Sequence, residues 1–131
     1  MIRYSIDINQ INKFLSFFNT EIKEIDVFDK YLIYYFNEIA IGFLAFSFIY
    51  DRIEINYIFV EELYRRKKIA SKMLIELEEF CKLNKCSNIT LEVNEINNKA
   101  IVFYKKHGFK EVSVRSKYYG EHNGILMMKE M

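Results

Sequence analysis

From Ile69 to Leu83 the apolar residues Ile69, Met73, Leu74, Leu77, Phe80 and Leu83 recur at helical spacing. Short apolar runs stand on either side, Ile53–Val60 and Ile89–Val93, and both read as strands. A strand, a long helix and a second strand in that order form one of the most restrictive local patterns a chain can carry. The strands lie parallel in one sheet and the helix crosses over one face. Counted from Arg65, the pattern predicts a helix of about five turns.

The remainder of the chain reads as mostly antiparallel. Ile2–Ile6 alternates apolar and polar residues and predicts a first strand. Asn9 or Asn12 is the expected cap of a helix carrying Ile11, Phe14, Leu15, Phe17 and Phe18. Tyr31–Asn37 and Ile39–Tyr50 predict a hairpin about Asn37-Glu38, and Asp51-Arg52 is a second tight turn. Beyond the central unit, Asn84–Asn88 is a loop. Asn97–His107 is a helix with Ala100, Ile101, Phe103 and Tyr104 on its apolar side, closed by Gly108. Phe109–Ser116 and Gly124–Lys129 are strands flanking a polar loop. The predicted order is β-α-β-β-β-α-β-α-β-β.

Composition narrows the function classes. At 131 residues the chain is expected to form one domain, 1–131, burying about two-thirds of its unfolded surface. Hydrophobic residues make up 51%, which excludes a disordered chain. Lys and Arg total 19 against 18 Asp and Glu, so no field of one sign recruits nucleic acid or an anionic membrane. No apolar run is long enough to span a bilayer, and the first residues lack a signal-peptide layout. Cys81 and Cys86 are too few for a disulfide framework and have no partners at metal-ligand spacing. A reduced, cytoplasmic protein without a metal is expected. Exposed aromatics in the C-terminal strands are compatible with a monomer or a homodimer.

One segment stands apart. Arg65, Arg66, Lys67, Lys68 and Lys72 cluster where a strand gives way to the long helix, with no acid between Arg65 and Glu76. The first turn of a helix carries unpaired N–H groups and the positive end of the dipole, so anions, phosphates above all, bind there. On charge alone, a solvated basic helix start is the favoured reading of the run, since basic runs are common.

The run Arg65-Arg66-Lys67-Lys68-Ile69-Ala70 resembles the acetyl-CoA pyrophosphate loop of the GNAT N-acetyltransferases, with pattern (Gln/Arg)-x-x-Gly-x-(Gly/Ala). A second helix ending Tyr104-Lys105-Lys106-His107-Gly108-Phe109 resembles the same family's Tyr-x-x-x-Gly-Phe. The subfamily most resembled is the bacterial ribosomal-protein alanine N-acetyltransferases (RimI type), through Glu54–Val60, Leu91–Ile101 and Val114–Tyr119. The similarity spans residues 54–129. It implies an α/β (α+β) GNAT fold: a mixed, mostly antiparallel twisted sheet with a central β-α-β acetyl-CoA-binding unit and flanking helices. Two departures stand out. Lys68 occupies the loop's first glycine, where it would either crowd a phosphate or contact it by charge. Only about a dozen residues, Asn19–Lys30, join the first helix to the second strand, fewer than is usual in the family, and this bears on the acceptor.

The resemblance also implies roles. Ile58, Phe59 and Val60 would pair through their backbone with the pantetheine arm. Arg65, Arg66, Lys67, Lys68, Ile69, Ala70 and Ser71 would hold the pyrophosphate, and Asn97 and Tyr104 would touch the cofactor. Glu92 matches the proposed base, with Glu54 on the neighbouring strand as the alternative, and Tyr104 matches the general acid. Glu92 and Tyr104, twelve residues apart, are expected to meet in one cleft. Tyr118 and Tyr119, in a loop after a strand, would wall the acceptor site. Without the resemblance, Glu92 reads as the outward residue of an alternating strand, Tyr104 as a core aromatic, and Asn97 as a helix cap. His107 reads as a helix C-terminal residue favoured by the dipole.

The implied activity is direct acetyl transfer from acetyl-CoA to a primary amine, first of all a protein or peptide N-terminal α-amine. A small amine or lysine acceptor, and a non-catalytic acyl-CoA-binding domain, are the alternatives.

Overall fold

The computed structural model describes residues 1–131. The alternating first half forms strands β1 (Ile2–Tyr4), β2 (Asp29–Phe36), β3 (Ile39–Ile49) and β4 (Arg52–Val60), with helix α1 (Ile8–Leu15) between the first two. Asn37 and Glu38, at the β2–β3 turn, have φ of 48° and 65°. That is the turn geometry whose twist matches the strands it joins. Helix α2 (Ile69–Leu83) crosses from β4 to β5 (Asn88–Asn94). Helix α3 (Asn98–Lys106) then leads to the hairpin β6 (Lys110–Tyr119) and β7 (His122–Glu130). The strand order is β1-β2-β3-β4-β5-β7-β6, and only β4 and β5 run parallel. The element order and the central parallel unit match the sequence expectation.

The helices fall on both faces. Met73, Leu74 and Leu77 of α2 and Tyr104 of α3 pack with Leu32, Leu44, Phe46, Ile53, Ile89 and Leu91 in the larger core. Cys81 is buried in the same cluster as a small hydrophobe. On the other face Ile11, Phe14 and Leu15 of α1 cover Tyr31, Ile33 and Phe43, with the Phe14 and Phe43 rings stacked at 5.0 Å. Truncating any of these large side chains to alanine would cost about 2–5 kcal/mol. No helix is long and apolar enough to cross a membrane.

Two irregularities position the site. The β3–β4 register runs Ala45↔Tyr57 and then Phe46↔Ile55, so Asn56 is an extra residue in β4. Below this bulge Ile53 and Ile55 pack against α2; above it Ile58 and Val60 do, while Tyr57 and Phe59 turn to α1. Pairing between β4 and β5 ends at Ile55↔Leu91. From there Asn56–Val60 and Glu92–Asn94 do not pair with each other, and the sheet opens as a fork.

Several boundaries differ from expectation for local reasons. Asp7, not Asn9 or Asn12, caps α1, accepting from the Gln10 N–H at 3.2 Å. Asn12 instead exchanges two hydrogen bonds with the Ile22 backbone at 2.8 and 2.9 Å, tying down the short segment before β2. Helix α2 starts at Ile69 rather than Arg65, because Arg66 and Lys68 take left-handed φ of 65° and 61° and a helix cannot run through them. β6 continues to Tyr119, since the turn needs only Gly120 and Glu121; Tyr118 and Tyr119 are therefore strand residues, not loop residues.

Candidate active site

Two clefts flank the fork. The first, about 560 Å3, lies between the end of β4, the start of α2 and α3. It gathers Ile58, Phe59, Val60, Arg65, Arg66, Lys68, Ile69, Ala70, Ser71, Asn97 and Tyr104, all expected there, together with Tyr64, Lys99, Ala100 and Phe103. Lys67 does not line it. Its ammonium lies instead over the Tyr64 ring, 5.6 Å from the centroid.

The loop at the cleft mouth is held by its own side chains. Arg65 Nε donates to the Val60 carbonyl at 2.9 Å, and its guanidinium sits over the Phe59 ring at 5.7 Å. Lys68, the residue before α2, adopts φ 61°, ψ 23°. This is a backbone state suited to glycine, and a lysine holds it at a cost of about 1 kcal/mol. The first turn of α2 contains no acid and no side chain caps it, so its free N–H groups and dipole have no negative partner within the turn. Across the cleft, Asn97 caps α3 by accepting from the Ala100 N–H at 3.2 Å, and so combines a cap with a cleft position. Tyr104 is 5% exposed and packs edge-on against Phe103 and Phe109. Burial pushes its phenol well above the ordinary tyrosine range, so it keeps its proton.

A diphosphate carrying a long amide arm fits this cleft. The anion meets a helix start lined by Arg65, Arg66 and Lys68, and the arm meets the unpaired edge of β4 at Ile58–Val60.

The second cleft, about 480 Å3, opens on the opposite face. It brings together Glu54, Glu92, Tyr118 and Tyr119 with Asp29, Tyr31, Asn56 and Tyr57. Asp29 accepts from Ser47 Oγ at 2.6 Å, and Ser47 accepts from Asn56 Nδ2 at 2.8 Å, which fixes the bulge residue. The Tyr118 and Tyr119 rings meet edge-on at 4.9 Å. Burial first, then Tyr118 and the Glu92 carboxylate, raises Tyr119, and burial followed by Asp29 raises Tyr31, so both phenols keep their protons. Glu92 is 17% exposed on its side chain. One carboxylate oxygen lies 3.4 Å from Arg115 Nε; the other is buried with no hydrogen-bond partner.

Glu92 and Tyr104 therefore do not share a cleft, contrary to expectation. Leu91 and Val93 point into the α2 core, so alternation along β5 sends Glu92 to the other face. Tyr104 reaches the fork from α3, on the α2 side. A cofactor in the first cleft and an acceptor in the second would meet at the fork. Asp29, Tyr31, Tyr57 and Arg115 escaped the sequence reading, because each is an unremarkable strand residue until register places it.

The acetyltransferase (GNAT) family profile matches residues 6–109. The fold is shared with solved structures. Ard1 from Thermoplasma volcanium is 26% identical with a TM-score of 0.73, over 77% of this chain and 70% of that one. The ribosomal-protein-S18-alanine N-acetyltransferase from Escherichia coli is 20% identical, TM-score 0.78, over 99% and 94%. A GNAT acetyltransferase from Elizabethkingia anophelis with acetyl-CoA bound is 14% identical, TM-score 0.79, over 100% and 97%. The fork with its basic loop, and the profile that runs across it, make this chain an acetyl-CoA-dependent N-acetyltransferase of the GNAT family.

Proposed function

We propose that the enzyme acetylates the N-terminal α-amine of a peptide or protein, bound in the second cleft, by direct transfer across the fork. The observation that carries this is the position of Glu92. It stands on the acceptor face, beside the unpaired edge of the fork, with an oxygen that nothing in the chain satisfies. The stretches that resemble the alanine N-acetyltransferases supply Glu54, Glu92, Tyr118 and Tyr119, and all four line that cleft.

Acetyl-CoA supplies a thioester carbon to which the amine nitrogen bonds as the carbon–sulfur bond breaks. The chain supplies the rest. An α-amine is protonated near pH 7, with an ordinary pKa of about 8, and Glu92 takes its proton directly or through a water. Glu54, two residues down the neighbouring strand and in the same cleft, is the alternative base. The backbone of Ile58–Val60 holds the arm along the edge that β4 leaves open beyond Ile55, and an N–H on that edge polarises the carbonyl oxygen. Tyr104, kept protonated by burial, gives a hydrogen bond or proton to the departing sulfur. Arg65, Arg66, Lys68 and the α2 start hold the phosphates.

A small polycationic amine is the second reading. Asp29, Glu54 and Glu92 place three carboxylates around one cleft, more than a single ammonium needs. Thiol release from acetyl-CoA tests both. Peptides beginning Ala, Ser or Met, their blocked counterparts, a lysine peptide and a polyamine form the panel. Release that requires a free peptide N-terminus supports the proposal. Release with the polyamine alone transfers the assignment to the second reading.

A further inference from the structure

His107 closes α3, and its role is larger than a helix end. Its Nε2 lies 3.0 Å from the Oγ of Ser71. Ser71 is the third residue of α2 and lines the first cleft. One turn before His107, Phe103 packs against the imidazole, with ring centroids 4.8 Å apart. The ring is thus fixed against the one hydroxyl that the anion-binding turn of α2 presents to the cleft.

A serine hydroxyl has a single proton. When Nε2 is bare, Ser71 donates to it and turns lone pairs towards the cleft, where they repel a phosphate. When Nε2 carries hydrogen, as it does in one neutral tautomer and always in the protonated ring, the imidazole donates to Oγ and the hydroxyl proton is free to point at the phosphate; protonation removes the other tautomer and so locks this arrangement. We propose that His107 is a positioning residue for the phosphate-bearing part of acetyl-CoA, orienting the Ser71 hydroxyl and taking up a proton as the cofactor binds. The inference rests on the acetyl-CoA site alone, so it stands or falls separately from the identity of the acceptor.

The surroundings of His107 suit such a device. The charged groups facing it are Glu78 from α2, Lys129 from β7 and Lys106 on its own helix. Glu78 and Lys129 bond each other at 2.7 Å and largely offset. Burial, the main influence, then holds the free imidazole below its ordinary value, so it is neutral near pH 7. A diphosphate beyond Ser71 adds negative charge and a hydrogen-bond acceptor, both of which favour the protonated ring. Cofactor affinity then rises as pH falls from the bound-state pKa to the free-state pKa. Each unit between the two is worth about tenfold.

The test needs no acceptor. The imidazole of His107 is titrated by NMR with and without CoA, and CoA affinity is followed across pH by calorimetry for the wild type, Ser71→Ala and His107→Gln. Glutamine keeps an N–H donor for Ser71 but does not titrate. The expected result is an upward move of the His107 midpoint on CoA binding, absent in Ser71→Ala, and a wild-type affinity ratio over His107→Gln that grows towards acid. Taking that ratio cancels titration of the phosphates of CoA itself. A His107 midpoint that CoA leaves in place, or one that moves equally in Ser71→Ala, overturns the proposal. The wild-type titration decides even if a variant fails to fold.

Discussion

Arg115 Nε lies 3.4 Å from one oxygen of Glu92, while the other oxygen is buried beside Gly124 without a partner. A half-satisfied carboxylate in a cleft is costly unless something else completes it. An acceptor ammonium, or a water bridging to one, would do so. Glu92→Gln should therefore lower kcat by about 100- to 10,000-fold. Acetyl-CoA affinity should be unchanged, because Glu92 does not line the cofactor cleft. Without that base the amine must arrive already deprotonated, so the rate should keep rising towards the acceptor's own pKa of about 8. A normal profile in this variant would move the base to Glu54.

Gly124 makes the Glu92 site possible. A Cβ there would stand 3.0 Å from Glu92 Oε2 and 3.0 Å from the Cβ of Tyr118. The Tyr118 Cβ, one bond from the backbone, cannot yield as the end of a long side chain can, so Gly124→Ala must displace the carboxylate, the tyrosine or both. Overpacking of this kind costs about 1–3 kcal/mol. The expected outcome is a lower kcat/KM for the amine, with acetyl-CoA affinity retained. Steady-state kinetics with both substrates varied, beside a cofactor titration, checks this. Equal losses on both substrates would mean a general disturbance of the sheet.

The cofactor cleft was the more legible of the two, and chain connectivity explains why. Val60 to Ser71 is one continuous segment, so a local motif contains most of the cleft, and the strand before it and the helix after it fix its geometry. The second cleft is assembled from β2, β3, β4, β5 and β6 with the end of α1. Its residues become neighbours only through register. The Asn56 bulge reverses which β4 residues face α2, and alternation in the sequence cannot show where an extra residue lies. The resemblance singles out Glu92, but its separation from Tyr104 follows from which face of β5 the core takes. The late start of α2 was hidden for another reason: Arg66 and Lys68 are good helix formers, and their left-handed backbone is imposed by the loop. Ser71 and His107, 36 positions apart, show no sequence signal linking them.

Lys68 sets a charge against a backbone conformation. At φ 61° a glycine is relaxed and a lysine is not. Lys68→Gly should raise stability by about 0.5–1 kcal/mol, the relief of the left-handed strain less the entropy of a freer unfolded chain. It should also weaken acetyl-CoA binding, most clearly at low salt, since a charge beside the phosphates is lost. Thermal unfolding and cofactor titration at two ionic strengths measure the two effects separately. Unchanged affinity at low salt would show that the lysine makes no phosphate contact.

Tyr104→Phe removes one hydroxyl from a ring that stays packed between Phe103 and Phe109. The core should tolerate it, and acetyl-CoA should bind nearly as well. Turnover should fall, because the departing sulfur loses its donor. The sign of the pKa shift adds a second expectation. Burial raises the phenol, so its proton is retained to a higher pH than in an ordinary tyrosine at about 10. The wild-type rate should accordingly show no alkaline loss from this group below about pH 10. A loss of cofactor binding with normal turnover would remove the general-acid role.

His107 carries a stability prediction with the opposite sign of pH dependence to that of a salt-bridged histidine. Its folded-state pKa is lowered by burial, so the unfolded chain binds the proton more tightly. The stabilising contribution is complete above the unfolded value of about 6.5 and is lost as pH falls through it towards the folded value. Cofactor-free enzyme should therefore lose stability on mild acidification, and His107→Gln should lose less over the same interval. Adding CoA should shrink that acid loss in the wild type, because a bound phosphate favours the protonated ring that the free protein resists. Denaturant midpoints at a series of pH values, with and without CoA, read all three. If CoA adds the same stability at every pH in the wild type and in His107→Gln alike, the imidazole does not sense the cofactor.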